Sequence, residues 1–144
     1  MTKHTLVHRL SLLGMKPTRM LLALRKASDL ESASLFLKEQ PTRPYLVIAF
    51  LNFQIPGTNF DAEFKSTPVS RETCSRSLNG FDFEIAPLHY RGDRLPASVF
   101  AEECTVRKCD SVIVVSDGKK QLHASDLAST LAVESRVPVI VIKP

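Results

Sequence analysis

Tryptophan is absent from this 144-residue chain, and tyrosine occurs only twice. Stacking platforms for nucleobases are therefore scarce. A net charge of +4, dispersed along the sequence, is too weak to argue a nucleic-acid surface. Long apolar runs are missing as well. None approaches the ~18 residues that span a bilayer, so no membrane insertion is expected. Cysteine is limited to Cys74, Cys104 and Cys109. That odd count matches no disulfide framework, the spacing matches no zinc pattern, and no histidine lies close enough in sequence to complete one. Three reduced thiols in a reducing compartment follow. Met1-Thr2-Lys3-His4 leads into neither a long apolar core nor a small-residue cleavage site, so the expected location is the cytoplasm.

Catalytic signatures are lacking too. His4, His8, His89 and His123 are scattered, with no Ser-His-Asp order, metal cluster or Walker loop around them. His123 stands two residues before Ser125, but no carboxylate is placed to orient it, and a capping or surface role is the simpler one. Arg91-Gly92-Asp93 reads as a turn. No enzymatic activity is expected.

What is present is an ordinary globular composition, 44% hydrophobic and 24% charged, in a length that suits one domain with one core. His4 to Gly14 carries Leu6, Val7, Leu10 and Leu13 at helical spacing, so residues 1–17 read as an amphipathic helix and lead-in. Residues 18–144 read as an α/β domain. Met20 to Leu24 is a continuous apolar run, as expected of a strand buried on both faces. Ser28-Asp29-Leu30-Glu31 has a capping-box pattern, and the helix it opens places Leu30, Ala33, Phe36 and Leu37 on one side. Tyr45 to Phe53 is a second buried strand. A long loop follows, then a short helix from Thr67-Pro68 that ends at Asn79-Gly80. Phe81 to Tyr90 alternates apolar and polar residues and contains Pro87, which suits an edge strand. A helix over about Leu95 to Lys108 has Leu95, Val99 and Val106 on one side and Phe100 and Cys104 on another. Ser111 to Val115 is the fourth strand. A helix beginning near Ser125, with Leu127, Ala128, Leu131 and Ala132 as its apolar side, leads to the fifth, Val139 to Ile142. Strands alternating with helices imply a single-domain, Rossmann-like α/β fold: an open parallel five-stranded sheet with helices on both faces. In such sheets a ligand crevice lies beyond the carboxyl ends of the strands, where the winding reverses.

The ordered set Gly92-Asp93, then Cys109-Asp110-Ser111-Val112-Ile113-Val114-Val115-Ser116, then Val137-Pro138-Val139-Ile140-Val141 resembles the universal stress protein family. The resemblance covers about 125 residues, from Met20 onward. It implies an adenine nucleotide alpha hydrolase-like sheet of order 3-2-1-4-5, with the switch point between the first and fourth strands. It also implies a homodimer through the C-terminal strand Pro138–Ile142, since an exposed apolar edge needs covering. The stretch from Ser125 to Val141 is similar as well to cytoplasmic regulatory domains of cation/proton antiporters, which implies an unidentified protein partner.

Members of that family that bind ATP carry an Asp after the first strand, a Gly-x-x-Gly loop after the fourth, and Gly-Ser/Thr at the next helix. Glycines there let backbone N–H groups approach phosphate. This chain departs at each point. It has Arg25 or Lys26 for the Asp, Gly118 followed three residues on by Gln121, and Ser125-Asp126 for the last pair. The motif is degenerate, and conventional ATP binding is not expected. The same places still define a candidate crevice for ATP, AMP or another phosphate-bearing anion: Arg25, Lys26, Ser116, Gly118, Lys119, Lys120, Ser125 and Asp126. Of these, Asp126 would repel phosphate.

Overall fold

The computed structural model describes residues 5–7, 17–53, 69–115 and 121–143. In chain order these form β1 (Thr5–Val7), β2 (Arg19–Leu24), α1 (Ser28–Lys38), β3 (Tyr45–Phe53), α2 (Arg71–Ser77), β4 (Phe83–Tyr90), α3 (Pro96–Val106), β5 (Ser111–Val115), α4 (Gln121–Ser135) and β6 (Val139–Ile142). The sheet order is β1-β6-β5-β2-β3-β4. From β6 to β4 every pairing is parallel, which is the expected order with β2 as first strand.

The central strands form where the sequence is apolar at every position. Met20 to Leu24 and Ser111 to Val115 are buried throughout, because helices cover both faces. Successive side chains point to opposite faces. Leu21, Ala23, Val47, Ala49, Val112 and Val114 pack with Phe100, Ala101, Leu127 and Leu131 of α3 and α4. Leu22, Leu24, Ile48, Phe50, Ile113 and Val115 pack with Leu30, Ala33 and Leu37 of α1 and Cys74 of α2. Among the described residues β4 pairs only with β3, and Pro87 is exposed, so the residue that cannot donate sits in the last strand of the described sheet.

Three local expectations are corrected, and one left open, the buried side of α3, is decided. Thr5–Val7 is a strand, not part of a helix. It lies antiparallel on β6, with Thr5 opposite Ile142. An open apolar edge offers a ladder of unpaired backbone groups, and this outweighs a weak helical periodicity. His4 and Leu10 to Gly14 lie outside the described residues. At α1 the capping box does not form: Ala27 is the N-cap, in helical conformation and with no side-chain bond. The short helix α2 starts later than Thr67-Pro68, after Ser70, whose Oγ accepts the Thr73 N–H at 3.1 Å. In α3 the buried side is Ala97, Phe100, Ala101 and Cys104, while Leu95 and Val106 are 65% exposed. The larger Phe100 side wins the sheet.

Candidate functional site

β2 lies between β3 and β5, so the winding reverses beside it and the crevice of such a sheet opens past Leu24 and Val115. Arg25 is the first residue beyond β2, and α1 begins at Ser28. Arg25 is only 2% exposed and Asp29 only 1%. The Arg25 backbone N–H donates to Asp29 Oδ2 at 2.9 Å, and its Nε stands 3.7 Å from the same oxygen. Asp29 Oδ1 is buried with no hydrogen-bond partner. Burial pushes the Asp29 carboxyl above its ordinary value, opposed by the Arg25 N–H and by the charges of Arg25 and Lys26. Thus Arg25, the cation placed where a carboxylate was sought, is folded down against an acid in the first turn of α1. Lys26 beside it is half-buried.

The remaining candidates divide. Ser116, Gly118, Lys119 and Lys120 lie outside the described residues. Ser125 and Asp126 fall inside α4, which starts at Gln121. They stand in its second turn, so the helix does not begin near Ser125, and His123 lies within it. The helix reaches further toward its N-terminus because Gln121, Leu122 and Ala124 are good helix formers. Arg25 and Lys26 are therefore the candidates whose side-chain surroundings are defined. Among the described residues, no group of three or more His, Cys, Asp or Glu is arranged to hold a metal ion. Nor is any helix among them long and apolar enough to cross a membrane.

A second polar cluster, at the opposite ends of the strands, was not anticipated. Glu84 of β4 accepts from Arg19 at 3.1 Å and from Tyr45 Oη at 2.9 Å through Oε1, and pairs with Arg107 through Oε2. Arg107 also bonds Glu103 at 2.5 Å, and Arg19 Nε donates to the Arg107 carbonyl at 2.6 Å. The Arg19 guanidinium lies 4.6 Å from the Tyr45 ring centre. Asp110 accepts from Thr18 N–H at 2.8 Å and Thr18 Oγ1 at 2.7 Å. Glu84 and Glu103 are matched by Arg19 and Arg107, and the cluster ties β2, β3, β4 and the end of α3 together. The only sequence signal was acidic residues at strand starts, and partners from four elements cannot be read from spacing.

An open, doubly wound α/β sheet with its switch point at β2 defines the structural class. A scan against protein-family models gives no match, and neither does a search of curated proteins. Solved structures do match. One is the hypothetical protein MJ0577, whose biochemical function was assigned from its structure: TM-score 0.55, 12% identity, 88% of this chain and 96% of that one. Another is a universal stress protein from Archaeoglobus fulgidus: TM-score 0.51, 20% identity, 94% of this chain and all of that one. The chain therefore has the fold of universal stress protein structures.

Proposed function

We propose that this chain is a universal-stress-protein-like regulatory protein, cytoplasmic and non-enzymatic, that acts through a protein partner and does not bind ATP in that family's manner. The shared fold supports the class. The observation that carries the second half is the buried Arg25–Asp29 pair at the end of β2. A carboxylate displayed there would accept hydrogen bonds from a nucleoside. Arg25 offers no acceptor, and its guanidinium is turned into the fold.

The test is calorimetric titration with ATP, ADP and AMP at millimolar concentration, with and without magnesium, alongside thermal melting. No saturable heat and no shift in Tm is the expected outcome. A saturable heat with any of the three would overturn the nucleotide half of the proposal and favour the other reading, an anion-sensing module. That reading rests on Lys26 and the lysines at 119 and 120, and it loses its strongest cation when Arg25 is engaged by Asp29.

Self-association belongs to the same proposal. The seam expected at Pro138–Ile142 carries β1 in this structure. Two copies would pair through β6 once β1 leaves that edge.

A further inference from the structure

Cys104 and Cys109 meet at the C-terminus of α3. Lys108 adopts a left-handed φ of 59°, and the chain doubles back so that Cys109 N–H donates to the Cys104 carbonyl at 2.9 Å and Lys108 N–H to Thr105 at 3.1 Å. Such helix ends normally close with an apolar contact between those flanking positions. Here two sulfurs make it. The Cys104 thiol donates to the Cys109 carbonyl oxygen, with Sγ 3.7 Å from it, so the two cysteines lie against each other. Both belong to the core between the sheet and the α3–α4 layer, whereas Cys74 lies in the core on the other face.

We infer that Cys104 and Cys109 are a dithiol modification site, closed to an intramolecular disulfide by small hydroperoxides and reopened by thiols. Cys109 is the attacking sulfur. Its pKa is lowered, first of all by the neighbouring Cys104 side chain, which favours the thiolate. Arg19 adds to this, while burial and the charges of Asp110 and Glu84 oppose it. Cys104 is held protonated, first by its pairing with Cys109 and then by burial. The Cys109 thiolate attacks the peroxide, forming an S–O bond, breaking O–O and releasing water after protonation. The Cys104 sulfur then displaces water from the sulfenic acid to form S–S. In sum, two thiols and one hydroperoxide give one disulfide and two hydroxyl products, water in the case of hydrogen peroxide. Cys109 is 6% exposed, and the helix end around it, with exposed Thr105, Val106 and Lys108, gives the oxidant entry by local opening. This inference stands apart from the crevice.

The chain itself makes the test readable. Trypsin cuts after Arg94, Arg107, Lys108 and Lys119, so the bridge would join peptide 95–107 to peptide 109–119. The folded full-length chain is treated with hydrogen peroxide, alkylated, digested and analysed by mass spectrometry, with circular dichroism to confirm the fold. The linked pair should appear about 2 Da lighter than its reduced sum and vanish with dithiothreitol, while Cys74 stays alkylated. In C104S, Cys109 should be trapped as a sulfenic acid by dimedone. Cys104 and Cys109 both still alkylated after oxidation, or Cys109 over-oxidised beside a free Cys104, would overturn the inference.

Discussion

Arg25 and Asp29 are nearly free of solvent, and a buried ion pair gives little net stability yet is costly to break. Arg25→Ala would strand the Asp29 carboxylate. It should lower the unfolding free energy by about 3–5 kcal/mol in urea titrations, and a loss near zero would mean the pair is dispensable. Asp29 also gives a pH signature. Its folded-state pKa is raised above 3.8, so the folded chain keeps this proton to higher pH than the unfolded chain does. Stability from this group is full below 3.8 and is lost as pH rises through the raised value. The Tm of the wild type relative to Asp29→Asn should fall over that window and be level below it, as scanning calorimetry would record. Arg25 was visible in the sequence as a cation at a strand end. Its partner was not: Asp29 looked like part of a capping box, and no helical spacing rule covers a pair that spans a strand-to-helix junction. The Glu84 cluster was hidden for the same reason, since its members come from sites 39 and 65 residues away as well as nearby.

Among the elements, β1 has the most leverage for its size. It covers the outer edge of Val139–Ile142, a strand buried at every position. Removing residues 1–7 should leave an apolar ladder open, and light scattering at micromolar concentration should then show dimers where the full chain gives a smaller species. A truncated chain that stays monomeric would end the proposal of pairing through β6. β2, β3, β5 and β6 were legible because continuous apolar runs mean burial on both faces, and β4 because its apolar and polar residues alternate. β1 is three residues long, too short for its own pattern to declare it, and its pairing depends on an edge supplied by the far end of the chain. The sequence of α3 left its buried side open because it has two apolar stripes, and only the sheet decides between Phe100 and Val106.

For the whole molecule, the two core layers share one sheet, and their common spine is β2 and β5. Amide exchange should be slowest in Met20–Leu24 and Val112–Val115 and fastest in β1 and β4, since edge ladders open without global unfolding. Equal protection of β4 and β2 would contradict that gradient. The alternation of strands and helices already carried this architecture, whereas the crevice depends on loop residues whose chemistry the motif pattern alone does not settle. The pairing of Thr5 with Ile142 has one more consequence. During synthesis β1 has no partner until β6 has been made, so the sheet's outer ladder cannot close before β6 leaves the ribosome. The same neighbourhood makes the fold a good subject for circular permutation, with a short linker joining Thr5 and Ile142, which already lie side by side.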